Sequence, residues 1–152
     1  MSPMNAFQFI QGLETLALRM PVHCENANKV AAFLKAHDKV SSVIHPSQQS
    51  GEPRRRADAY LDGGFGGLVG FELKGGKDAG RRFIDGLELL YHVANIGDAR
   101  SLAIHPASTT HSQLSAEDQV AAGATPGYVR LSVGIEHIDD ILADLTQALD
   151  KA

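Results

Sequence analysis

The sequence predicts a two-layer α/β domain, with one face of a sheet packed on helices. Two observations carry this. Short apolar runs alternate with segments of helical period from end to end, joined by short turns. Near the end, Tyr128–Glu136 alternates: Val129, Leu131 and Val133 point to one face, Arg130 and Ser132 to the other. One side of the sheet should meet helices, and the other should meet something outside the chain.

The elements follow in order. Ser2-Pro3 reads as an N-cap and a first helical Pro. Ala6, Phe9, Ile10, Leu13, Leu16, Ala17 and Met20 then recur at helical spacing, while Phe7 and Leu18 lie off that stripe, so this helix is apolar on more than one face. Pro21 is expected to break it. A second helix is expected from about His23 to Ala36, with Ala27, Val30, Ala31 and Leu34 inward. Lys39–Ile44 reads as a strand ended by His45-Pro46. Ser47–Arg56, polar and basic, reads as an exposed loop, and Ala57–Leu61 as a short helix.

Gly63–Gly67 leads slackly into a strand over Leu68–Leu73, without the following helix that phosphate cradling requires. A helix from Gly75-Gly76 has Ala79, Phe83, Ile84 and Leu87 inward, and Leu89–Val93 reads as another strand. Asn95–Arg100 is a turn into the short apolar strand at Ser101–Ile104 and a hydroxyl-rich loop through His111. Ser115-Ala116-Glu117-Asp118 opens a short helix like a capping box. The last helix has the cleanest period: Ile138, Ile141, Leu142, Leu145 and Leu149.

At 152 residues, 43% apolar and 21% charged, the chain has the size and composition of one globular domain. A net charge of −4 with both signs interspersed argues against nucleic acid or an anionic membrane as partner. No apolar run is long enough to span a bilayer. The lone Cys24 suits a reducing cytoplasm and reads as a small packing residue.

The sharpest chemical feature is Arg130. A mid-strand Arg between apolar neighbours is costly to bury unless an anion meets it, and its fork suits a carboxylate or phosphate. A structural Asp or Glu partner, or simple exposure, would also satisfy it. Arg54-Arg55-Arg56, beside Glu52 and Asp58, reads as a solvated surface. His105 and His111 lack a zinc spacing and a completing ligand set. Ser101, His111 and Asp98 lack a nucleophile elbow.

Several long motifs also resemble one family. Ser101-Leu102, His105-Pro106-Ala107-Ser108-Thr109-Thr110-His111 and Arg130-Leu131-Ser132-Val133-Gly134-Ile135-Glu136-His137-Ile138-Asp139-Asp140 are similar to the C-terminal domain of the pyridoxal-phosphate enzymes of Cys/Met metabolism. So, in the same order, are Ser2–Phe7, Gln11–Leu16, Arg19-Met20, His23–Ala27 and Ala94–Arg100. The resemblance implies the small C-terminal domain of a fold-type I enzyme, with a mostly antiparallel sheet and helices on one face. It implies that residues 1–22 form a long helix linking to an absent N-terminal domain, and that residues 23–152 form the C-terminal domain.

That absent domain would supply the Schiff-base Lys, the partner of the pyridine nitrogen and most phosphate ligands. Lys29, Lys35, Lys39, Lys74, Lys77 and Lys151 do not sit in the family's Ser/Thr-x-x-Lys context. Pyridoxal phosphate therefore belongs to the complete enzyme and is not expected to bind this chain alone, which should be inactive. By resemblance Arg130 anchors the substrate α-carboxylate, Ser101 and the Leu102 backbone lie beside it, Asn95 helps hold it and Thr110 lines the pocket. Arg100 stands where related lyases carry an acid, pointing to the branch that exchanges the acetate of O-acetylhomoserine for sulfide or a thiol. The alternative is a free-standing, non-catalytic domain that binds a small carboxylate or a partner chain. The uncovered first helix and Arg130 face suggest a missing complementary region and a homo-oligomer.

Overall fold

A computed structural model describes residues 1–152. Six helices and five strands form one sheet backed by helices. The helices are α1 (Pro3–Glu14), α2 (Leu16–Ala36), α3 (Gly51–Tyr60), α4 (Gly76–Gly86), α5 (Ala116–Ala121) and α6 (Ile138–Lys151). The strands are β1 (Val40–Ile44), β2 (Leu68–Leu73), β3 (Tyr91–His92), β4 (Leu102–Ile104) and β5 (Tyr128–Ser132), in spatial order β1-β2-β5-β4-β3. Every pairing is antiparallel except β3 with β4, as expected of a mostly antiparallel sheet.

The core lies between the sheet and α2, α4 and α6. Val69, Phe71 and Leu73 from β2 meet Val129 and Leu131 from β5, covered by Val30 and Leu34 of α2, Phe83 of α4, and Ile141 and Leu145 of α6. Phe71 and Phe83 meet edge to face at 5.4 Å between centroids, a favourable aromatic geometry. The period-2 and period-3.6 stripes read from the sequence are the buried faces of β5 and α6.

Three elements differ from expectation. The first helix breaks at Thr15, and Pro21 lies inside α2. Pro removes one backbone bond, but α2 is secured further on: His23 Nδ1 lies 2.6 Å from the Val133 carbonyl, and Asn26 Nδ2 donates to the carbonyls of Gly134 (3.1 Å) and Glu136 (3.0 Å). Arg19 spans the break, donating to the Gly12 carbonyl at 2.6 Å. Much of the expected 47–56 loop is a 3-10 turn at Pro46–Gln48 followed by α3. Glu52 pairs with Arg55 and Arg56, and Arg54 with Asp58, at helical spacing, which supports a short polar helix.

The expected Leu89–Val93 strand shrinks to Tyr91–His92. Buried Asp144 of α6 accepts the N–H groups of Glu88 (2.8 Å), Leu89 (3.0 Å) and Leu90 (2.9 Å), so those groups cannot join a strand ladder.

His45 and His105 are fully buried, and burial holds both rings below the ordinary histidine range. The folded chain therefore resists protons that the unfolded chain accepts near 6.5. Their contribution to stability is complete above that value and is lost as pH falls towards the depressed folded values. The urea midpoint should accordingly fall with pH below about 6.5. A midpoint flat down to about pH 5 would count against this.

Candidate functional site

The site grows from one row across the sheet. Ile44 pairs with Gly70, Gly70 with Arg130, and Arg130 with Ile104, so all four point to the face away from the helices. Glu72 sets the entry to β5: its carboxylate accepts the Gly127 N–H at 3.0 Å and the Thr125 hydroxyl.

This face is not wholly open, contrary to the simplest reading of the alternation. The exposed segment Val93–Arg100 crosses its Ser132 end. Gly97 donates to the Ser132 hydroxyl at 3.1 Å, Ile135 donates to the Ala99 carbonyl at 2.9 Å, and Arg130 Nη2 donates to the Asn95 carbonyl at 3.1 Å. Gly134 is where the crossing is tightest: a Cβ there would collide with the Ala99 carbonyl and the Arg100 backbone.

Arg130 is half-buried and makes no ion pair. Of the partners open from sequence, a structural Asp or Glu is therefore not the one present. Its Nε is shielded from water and has no hydrogen-bond partner, so the guanidinium carries unused donor capacity where water does not supply an acceptor. Two clefts flank it. One, of about 440 Å³, is lined by Thr110, His111, Ile104 and Ala124. The other, of about 560 Å³, is lined by His45, Phe65, Leu68 and Gly70. Tyr128 and Arg130 line both.

The expected site residues separate into two groups. Arg130, the Asn95 backbone and Thr110 come together at the first cleft. The Asn95 side chain instead accepts the Ile96 N–H at 2.9 Å. Ser101 is buried and its groups are occupied: its N–H and hydroxyl donate to Glu136 at 2.6 and 2.9 Å, and its Oγ accepts the Gly134 N–H at 2.8 Å. Leu102 is buried beside it, paired with Tyr91 and Ser132. Arg100 lies over the Tyr91 ring, 5.0 Å from its centroid, and lines neither cleft.

Two contributors were not singled out from the sequence. Tyr128 could have been found, because it lies two residues before Arg130 and alternation puts it on the same face. Glu136 could not, because its role depends on Ser101, 35 positions away. No three His, Cys, Asp or Glu side chains gather into a metal-binding group.

With this fold and site in view, the family is clear: the chain belongs to the Cys/Met metabolism PLP-dependent enzymes, whose family description matches residues 1–150. It is 57% identical over 149 residues to the O-acetyl-L-homoserine sulfhydrylase of Leptospira meyeri, covering 97% of this chain and 34% of that protein. It is 46% identical to the homocysteine synthase of Schizosaccharomyces pombe, covering 99% of this chain and 35% of that protein. A crystal structure described as an O-acetylhomoserine (thiol)-lyase from Campylobacter jejuni, which carries pyridoxyl-lysine 5′-monophosphate, superposes with a TM-score of 0.90 at 46% identity, covering 99% of this chain and 36% of that one. The chain thus spans about a third of the length of these relatives.

Proposed function

We propose that this chain serves as the C-terminal third of a pyridoxal-phosphate-dependent O-acetylhomoserine sulfhydrylase, which replaces the acetate of O-acetylhomoserine with sulfide or a thiol to give homocysteine or methionine. The observation that carries this is Arg130, a guanidinium without a counter-ion between two clefts, in a chain 57% identical to such a sulfhydrylase.

Its role is to bind and orient. Arg130 takes the substrate α-carboxylate, and the Asn95 carbonyl fixes the plane of the guanidinium. Thr110 lines the same cleft. Ser101 and Leu102 line neither cleft; held by Glu136 and by β-pairing with Ser132, they brace the strand next to that of Arg130. Arg100, stacked on Tyr91, is available to the substrate's distal end once the rest of the enzyme is present.

Pyridoxal phosphate supplies an electron sink when bound. Five of the six lysines are engaged elsewhere: Lys29 pairs with Glu25, while Lys35, Lys39, Lys74 and Lys151 donate to backbone carbonyls. No lysine lines either Arg130 cleft. We assign the reactive lysine to a complementary region, reached through residues 1–22, and infer that the chain alone is inactive. α1 has no buried residue and exposes Phe7, Phe9, Ile10 and Leu13, which supports that region or a further subunit as its cover. No helix is long and apolar enough to cross a membrane. We place the enzyme in the cytoplasm as a homo-oligomer.

The test is complementation. The chain is co-produced with the remaining part of the Leptospira meyeri relative, and homocysteine formation from O-acetylhomoserine and sulfide is followed. Activity of the pair and silence of either piece is the expected result. Borohydride trapping should label a lysine of the other piece. A single labelled lysine in this chain, protected by an amino acid, would overturn the proposal.

A further inference from the structure

The Arg130 site holds a second donor that the sulfhydrylase reading does not use. Tyr128 precedes Arg130 by two residues on the same face of β5. Its ring folds across the neighbouring strand over Gly70, the residue paired with Arg130. A Cβ at Gly70 would lie 2.6 Å from the Tyr128 hydroxyl and 2.8 Å from a ring carbon, so glycine is what allows the ring to lie there. The hydroxyl is thereby held above the residue facing Arg130, and Tyr128 and Arg130 line both clefts together.

We propose that the Tyr128 hydroxyl is a substrate-binding donor that, with Arg130, takes the carboxylate of the amino-acid substrate. This rests on Arg130 being the carboxylate anchor. One guanidinium nitrogen, Nη2, is already tied to Asn95, and the buried Nε lacks a partner. A carboxylate offers about four acceptor sites, more than one partly engaged guanidinium fork fills. The phenol makes no hydrogen bond within the protein and is not among the buried unpartnered groups, so an oxygen of a ligand in either cleft need not displace a protein partner. Burial pushes the Tyr128 hydroxyl above its ordinary value, with Glu72 adding to this and Arg130 opposing it. The group therefore stays protonated and able to donate at neutral pH.

The experiment titrates the 152-residue chain with O-acetyl-L-homoserine, following the amide signals of Ile96, Gly97 and residue 130 by NMR. Tyr128→Phe removes only the unpartnered hydroxyl and keeps the ring, and it should weaken binding roughly tenfold. Gly70→Ala keeps the hydroxyl but displaces the ring, and it should give a comparable loss. The analogue of the same ligand in which hydrogen replaces the carboxylate, and which offers no acceptor there, should bind Tyr128→Phe and the unaltered chain equally, which a general structural defect would not produce. Binding abolished by Arg130→Ala but unchanged in Tyr128→Phe overturns the Tyr128 proposal alone. Binding that survives Arg130→Ala overturns the Arg130 reading and this proposal with it; if the chain alone binds too weakly to read, the same variants in the complemented enzyme decide, and a KM for O-acetylhomoserine unchanged in Tyr128→Phe overturns the Tyr128 proposal.

Discussion

Arg130→Ala, tested in the complemented enzyme, lowers kcat/KM for O-acetylhomoserine by roughly a hundredfold to a thousandfold. Two charge-assisted hydrogen bonds to a carboxylate contribute about 3–4 kcal/mol together, and each 1.36 kcal/mol is a factor of ten. The side chain has no ion-pair partner to orphan, and its one hydrogen bond is to the exposed Asn95 carbonyl, so the fold should survive. Arg130→Lys should recover only part of the loss, since an ammonium cannot reproduce the planar fork. Steady-state kinetics decides this, and a kcat/KM within threefold or so of the unaltered enzyme would remove Arg130 from the site.

The largest effect on stability falls at Asp144. Its carboxylate accepts three backbone N–H groups from Glu88, Leu89 and Leu90, and the Gln147 amide at 2.8 Å. Asp144→Ala leaves those donors without their acceptor in a largely buried place and should cost about 3–5 kcal/mol. Asp144→Asn keeps one acceptor oxygen and should cost less. Urea unfolding with a constant slope measures both. A loss under about 1 kcal/mol for the alanine variant would mean that water or backbone groups replace the carboxylate.

Much of the fold was legible because it is written in local periods. The stripes of β5 and α6 depend only on which way successive side chains point, and the structure buries those faces. Arg130 was legible for the opposite reason: a charge in an apolar strand departs from pattern. The departures from expectation come from bonds between distant positions. Pro21 stays helical in a segment secured by Asn26 and His23 to residues 133–136, and Leu89 leaves its strand because of Asp144. Ser101 was expected by resemblance beside the substrate carboxylate, yet its hydroxyl is taken by Glu136, 35 positions along the chain. No window of a dozen residues contains both members of any of these pairs.

The strand order has a consequence for how the molecule is made. β2 and β5, paired at the centre of the sheet, come from opposite halves of the sequence, and β5 is the last of the five strands in chain order. Until Ser132 is in place, β1 and β2 can form only a pair with one long unpaired edge, and β4 has no antiparallel neighbour. The five-stranded sheet cannot close before β5 is available, which closes large loops late and favours slow, all-or-none assembly. The strand that completes the sheet also carries Arg130. Incomplete chains therefore lack the binding site along with the core, and newly made molecules gain both in one event.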